Sequence, residues 1–162
     1  MARIIRFRED RSGLSARATL LDDKAPANCA FLWRYLDRPR QIPALHAMWT
    51  GPEISCPIPD AEVPADDRDA GLPLENGTTC PAAGDVLLAY VPPRAWGGAP
   101  FPVFDIGLFY GPGGRLLLPI GWIAASLCAR IAADDLAAAA AACDAIRRTG
   151  ACVVTIARMD GD

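Results

Sequence analysis

The chain has 162 residues, 52% of them hydrophobic and 22% charged, with a formal net charge of −3. That balance is the one expected of a soluble globular protein with a real core, and it excludes a disordered chain. The 16 Lys and Arg residues are scattered rather than gathered into a stripe, and no apolar run approaches the roughly 18 to 20 residues that a bilayer span needs, so neither nucleic acid nor a membrane is an expected partner. The opening Met1-Ala2-Arg3-Ile4-Ile5-Arg6 mixes charged with apolar residues and lacks the uninterrupted apolar region of a signal peptide. A single domain over residues 1–162, located in the cytoplasm, is the expectation.

Ala2 to Phe7 reads as a strand, Arg8 to Gly13 as a polar turn, and Leu14 to Leu21 as a returning strand with Leu14, Ala16, Ala18 and Leu20 on one face. Asp22-Asp23-Lys24-Ala25-Pro26 opens a helix, because acids suit the positive end of the helix dipole and proline fits the first turn. Cys29, Leu32, Trp33 and Leu36 recur at helical spacing as its buried stripe, and Asp37-Arg38-Pro39 ends it. From Ile42 to about Ile58 the chain is extended around a Gly51-Pro52 turn. Pro52, Pro57 and Pro59 argue against a central strand in its second half. Pro59 to Asn76 is rich in Asp, Pro and Ala and reads as a long surface loop, either a binding loop or a plain excursion.

Val86 to Tyr90 is a continuous apolar run of strand length, stopped by Pro92 and Pro93. Phe101 to Tyr110 is a further strand. Gly111-Pro112-Gly113-Gly114 is a tight turn after which Arg115 to Pro119 is expected to pair back as a second hairpin, with Gly121 to Ile131 extended or irregular beyond it. Asp134 to Arg148 is the clearest helix, with Asp134 and Asp135 at its start, Arg147 and Arg148 at its negative end, and Gly150 as the terminating residue. Leu136, Ala139, Ala140, Cys143 and Ile146 form its buried stripe. Ala151 to Ile156 is a last strand and Arg158 to Asp162 a tail. Strands outnumber helices and no regular βαβ alternation is present, which points to a mainly β fold, a closed or nearly closed barrel with two helices.

The six cysteines, Cys29, Cys56, Cys80, Cys128, Cys143 and Cys152, contain no C-x-x-C pair, and the chain has one histidine, so no zinc site is expected. They read as structural thiols, with a disulfide or a reactive cysteine as the lesser alternatives. There is no Gly-x-Ser-x-Gly nucleophile motif and no Gly-x-x-x-x-Gly-Lys phosphate loop, so no cofactor is expected either.

Leu20-Leu21-Asp22-Asp23-Lys24-Ala25-Pro26-Ala27-Asn28 resembles the strand-to-helix entry of cyclophilins, and Gly84-Asp85-Val86 followed by Pro92-Pro93 resembles a segment of small bacterial cyclophilin-like proteins. With His46-Ala47-Met48-Trp49-Thr50-Gly51-Pro52-Glu53, Asp105 to Gly111, and Pro119-Ile120-Gly121-Trp122, most of the chain is similar to an uncharacterised bacterial cyclophilin-like family. The resemblance implies a cyclophilin-like barrel and brings no activity with it. True cyclophilins isomerise prolyl peptides with an arginine in a Phe-His-Arg-Val segment. Here Ala47 and Met48 follow His46, so peptidyl-prolyl isomerisation is the least expected activity.

His46 and Glu53 flank the Gly51-Pro52 turn, and Asp105 is the lone charge in an apolar strand. Imidazole and carboxylate side chains carry general acid–base chemistry, so these three are the candidate catalytic residues. The alternatives are a satisfied core histidine, a solvated glutamate and a strand-end aspartate accepting backbone N–H bonds. Trp49, Trp96, Tyr110 and Trp122 are candidate pocket walls or core, and Arg115 a candidate carboxylate clamp or a solvent-facing side chain. Two functions are expected from these residues. One is a cofactor-independent hydrolase or isomerase acting on a small cyclic amide or related polar metabolite, by analogy with cyclophilin-like proteins that take part in lactam ring opening. The other is a non-catalytic ligand-binding or accessory protein, with a homodimer as the default assembly.

Overall fold

A computed structural model describes residues 2–159. An N-terminal hairpin, β1 (Ile4–Glu9) and β2 (Leu14–Leu20), is followed by helix α1 (Pro26–Tyr35). A second hairpin, β3 (Arg40–His46) and β4 (Glu53–Pro57), turns at Gly51-Pro52. A 3₁₀ turn (Asp60–Glu62), the short helix α2 (Ala65–Ala70) and the short strand β5 (Gly77–Thr78) lead to a third hairpin, β6 (Asp85–Val91) and β7 (Val103–Phe109). A small hairpin of β8 (Leu117–Leu118) and β9 (Gly121–Trp122) precedes β10 (Ala125–Ile131), helix α3 (Ala133–Thr149) and β11 (Cys152–Met159).

Eight strands run in the order β2-β1-β11-β3-β4-β7-β6-β10, every neighbour antiparallel, and pairing of β10 with β2 closes the barrel. Closure removes the sheet edges that would otherwise offer unpaired backbone groups. Side chains alternate along each strand, so one set fills the interior. Ile5 and Phe7, Ala16 and Ala18, Ile42 and Ala44, Ile54 and Cys56, Ile106 and Leu108, and Val154 and Ile156 are all buried there in one cluster.

Two helices cover opposite mouths. At one, Phe31 of α1 stacks on Phe104 at the start of β7, with ring centroids 5.4 Å apart, and the Cys29 thiol donates to the Cys128 carbonyl. At the other, α3 buries Ala139, Ala142, Cys143 and Ile146. Its small side chains let it lie close to the barrel end where β6 begins, so that Leu136 faces Gly84.

Several expectations are corrected. The fold has a third helix, α2, inside the stretch 59–76 that reads as structureless. That stretch is tied to α1 by Arg34–Asp67 (2.7 Å) and by the Asn28 amide, which donates to Glu75 and to the Pro73 carbonyl. β4 is central, between β3 and β7, despite its prolines. Pro57 stands at the last residue of the strand, and Pro52 lies in the turn, where its carbonyl accepts from the Tyr110 N–H. Arg115 to Pro119 does not pair back on β7; Leu117 and Leu118 pair forward with Gly121 and Trp122. Trp33, Leu136 and Ala140 are only partly buried. Arg158 belongs to β11 rather than to a tail, while residues 1 and 160–162 lie outside the described residues. Among the described residues the six cysteines are free thiols, and Cys80 is exposed.

The start of α3 also differs from expectation. Ala132 occupies the N-cap position and no side chain caps the helix. Asp135 turns instead to Arg17 of β2, accepting from its backbone N–H at 2.8 Å and from its guanidinium at 2.8 Å. The Arg17 side chain, then its backbone N–H, hold the Asp135 carboxyl down at about 2. A depressed carboxylate stabilises the fold above its unfolded range, and that stability is lost as pH falls through the folded value. Asp135→Ala should therefore lower the melting temperature at neutral pH, and the difference from wild type should shrink as pH falls towards about 2.

Candidate functional site

The site is built on the outer face of the β4–β7 pair. Register sets Glu53 opposite Phe109, Ser55 opposite Gly107 and Pro57 opposite Asp105. Alternation sends Ile54, Cys56, Ile106 and Leu108 into the barrel, and so puts Glu53, Ser55 and Asp105 together on the other side. The Thr50 hydroxyl donates to Glu53 Oε2, and the Ser55 hydroxyl donates to Asp105 Oδ2 at 2.7 Å. Gly107 lies between the two acids, and a Cβ there would strike Glu53 Oε1. Its missing side chain is what lets the Glu53 carboxyl lie flat over the strand.

These groups floor a cavity of about 360 Å³. Its walls are apolar: Leu45, Ala47 and Met48 from the end of β3, Ala89 and Val91 from β6, and Leu116, Leu118 and Ile123 around the β8–β9 hairpin. That hairpin stands over a second apolar cluster of Leu87, Phe109, Leu116, Ala125 and Leu127, which holds it against the outside of the barrel. Trp49 and Trp96 stand at the rim, edge to face, with ring centroids 5.9 Å apart at 61°. Among the described residues no lysine, arginine or histidine lines the cavity.

The electrostatics follow from that lining. Glu53 is 5% exposed. Burial first, and then the neighbouring Asp105, push its carboxyl up, against a smaller opposing effect from Thr50. Burial also raises Asp105, though less, because the Ser55 hydroxyl and the Cys56 backbone N–H favour its ionised form. The Oδ1 atom of Asp105 is enclosed without a hydrogen-bond partner. Two acids in one apolar site separate in their protonation.

His46 is not in this cavity. It pairs with Ile54, one residue along β4 from Glu53, and so its side chain leaves from the opposite face. Its Nδ1 donates to the Ala47 carbonyl at 3.0 Å, which leaves Nε2 to accept from the Tyr110 hydroxyl at 2.8 Å. Burial, with Arg147 adding to it, lowers the imidazole's pKa. The expected convergence of imidazole and two acids is therefore corrected: Glu53 and Asp105 meet, and His46 is spent in a separate hydrogen-bonded pair.

The other candidates divide the same way. Trp49 and Trp96 line the acid cavity. Tyr110 and Arg115 line a separate depression with His46 and Arg147. Trp122 projects from β9 at 59% exposure and borders neither. The stretch 59–76 does not border the acid cavity either. Among the described residues no three His, Cys, Asp or Glu side chains gather as metal ligands.

Residues 9–158 match the family model described as "Protein of unknown function (DUF3830)". The chain belongs to that family. No curated protein matches the DUF3830 chain in sequence. Among solved structures its fold is similar to that in "Structure of McbB in complex with tryptophan", with a TM-score of 0.63 and 15% identity over 98% of this chain. The match takes in 45% of McbB, so the DUF3830 chain spans less than half the length of that protein. At that identity the likeness shows the fold alone, a cyclophilin-like barrel.

Thr50, Ser55, Met48 and Gly107 were not among the sequence candidates. The signal for the last three is periodic: Glu53-x-Ser55 and Asp105-x-Gly107 share a face once both segments are strands, and Met48 sits on the exposed side of the turn. Gly107→Ala tests the floor. Its backbone suits any residue, so the cost is the collision with Glu53 and Phe109. We expect a folded protein destabilised by about 1–3 kcal/mol in denaturant titration. Glu53→Gly should relieve the loss in a double variant.

Proposed function

We propose that this protein binds a small, largely apolar molecule in the outer-face cavity and moves protons on it with Glu53 as the acid and Asp105 as the base. The observation that carries this reading is the pair of carboxyl groups on the floor of an apolar cavity with no cationic side chain lining it. Glu53, held protonated by burial and by the charge beside it, is set to donate. Asp105, whose ionised form is favoured by Ser55 and Cys56, is set to accept. Positioned acid–base pairs of this kind contribute on the order of 10²–10⁴ in rate each.

The reaction class is hydrolysis or isomerisation without a cofactor, and the substrate a small cyclic amide or a related metabolite. In hydrolysis Asp105 would take a proton from water attacking the carbonyl, and Glu53 would protonate the leaving nitrogen. In isomerisation Asp105 would remove a proton from substrate carbon and Glu53 would protonate the carbonyl oxygen. The apolar walls lower the local dielectric and so raise the strength of both interactions. McbB has tryptophan in its structure, a small molecule with an aromatic body; here it is the cavity's own indole rim that supports a ligand of that shape.

A second reading, ligand binding without turnover, is favoured by the open apolar rim, where Met48 is 73% exposed and Trp49 41%. One experiment separates the two. Wild type and Asp105→Asn are incubated with a panel of lactams and cyclic imides and followed by proton NMR and by thermal shift. Conversion by wild type and none by Asp105→Asn supports the acid–base reading. Raised melting temperatures with no conversion support the binding reading, and neither effect removes both.

A further inference from the structure

Each acid on the cavity floor commits one oxygen to a neighbouring hydroxyl and leaves the other free. Thr50 occupies Glu53 Oε2, and Ser55 occupies Asp105 Oδ2. Asp105 Oδ1 has no hydrogen-bond partner, and Glu53 Oε1 lies over the bare backbone of Gly107 with no donor from the protein. A buried carboxyl oxygen without a donor costs free energy that a bound donor would recover. That enclosed oxygen of Asp105, and two acids with no cationic side chain among the described residues that line the cavity, call for a group that carries both N–H donors and a positive charge. The rim adds a second demand. Trp49 and Trp96 present indole rings at the opening, a surface for an apolar ligand body.

We infer that the ligand is a primary or secondary amine carried on a small apolar body, entering as its ammonium ion, releasing the Glu53 proton to solvent and donating N–H bonds to the two carboxylates while its body lies against Trp49 and Trp96. This rests on the reading of the cavity as a small-molecule site and is independent of the cyclic-amide chemistry. The three N–H bonds of a primary ammonium can reach both acids, which a quaternary ammonium of the same charge cannot do. A hydroxyl can satisfy one oxygen but brings no charge.

The test is isothermal titration calorimetry of the full chain at neutral pH with four probes on one scaffold: phenethylamine, its trimethylammonium analogue, 2-phenylethanol and 3-phenylpropanoate. Phenethylamine should bind about tenfold tighter than the alcohol, the increment of one or two charge-assisted hydrogen bonds. The trimethylammonium probe should be weaker than phenethylamine, and the carboxylate should give no heat. In the Glu53→Gln/Asp105→Asn double variant the preference for amine over alcohol should fall to about one, with an unchanged circular dichroism spectrum as evidence that the fold is intact. Equal affinity of wild type for amine and alcohol overturns the amine inference and leaves the small-molecule reading standing. Equal affinity for amine and trimethylammonium overturns the N–H bonding to the two acids. Failure of all four probes to bind overturns the inference and the cavity reading together.

Discussion

Replacing Glu53 with glutamine is expected to raise the melting temperature near pH 9 by roughly 5 °C or more and to change it little near pH 5. The folded protein holds this carboxyl up at about 8, through burial first and Asp105 second, whereas in the unfolded chain it titrates in the ordinary range. A raised acid binds its proton more tightly in the folded state. Its contribution to stability is complete below the unfolded value and is lost as pH rises through the folded one. Between those limits wild type should lose a few kcal/mol that it can recover only by relaxing the floor. The groups that face Glu53 are Asp105, the Thr50 and Ser55 hydroxyls, and apolar walls, with no cation to offset the charge. Glutamine keeps an oxygen for Thr50 and turns an N–H₂ group towards Asp105, so the variant's stability should run nearly flat over the same window. A melting-temperature series against pH for both proteins checks this. Parallel curves would show that Glu53 is ionised at no cost in the folded state.

The second large effect concerns turnover. On any substrate that the protein converts, Asp105→Asn and Glu53→Gln should each lower the rate by on the order of 10²–10⁴ while leaving substrate affinity within a few-fold. His46→Ala should leave the rate nearly intact, although the histidine is the residue that sequence reasoning puts first. Both of its nitrogens are occupied, by the Ala47 carbonyl and the Tyr110 hydroxyl, and its ring leaves the opposite face of the sheet from the two acids. The His46 variant should lose stability instead, through the unpaired Tyr110 hydroxyl, by about 1 kcal/mol. Steady-state kinetics and denaturant titration of the three variants separate these outcomes. A rate collapse in His46→Ala with Asp105→Asn unaffected would transfer the chemistry to the second depression, beside Arg115 and Arg147.

Much of the barrel was legible in the sequence. Alternation in Leu14 to Leu20, the apolar run from Val86, and Pro26 at the first turn of α1 all report local physics that the fold obeys. The site was half legible. Asp105 stood out because a lone charge in an apolar strand needs a reason, and Glu53 because it closes the Gly51-Pro52 turn. Their meeting was not readable, because it depends on a register between segments about fifty residues apart in which Ser55 faces Gly107. Nearness in sequence misled in the case of His46: a shift of one residue along a paired strand sends a side chain through the sheet. Prolines misled in β4, since Pro57 ends a strand that pairs along its length with β7 and at Ile54 and Ser55 with β3. Asp134 and Asp135 show the same limit, because a distant Arg17 outcompetes the local helix terminus for the Asp135 carboxylate.

The most direct measurement is a carbon-13 NMR titration of the Glu53 and Asp105 carboxyl groups in wild type and in each single variant. The account predicts that both titrate above their ordinary ranges, Glu53 the higher, and that Glu53 moves down when Asp105 is replaced by asparagine. Two independent carboxyls titrating near 4 in wild type, with neither responding to loss of the other, would contradict it.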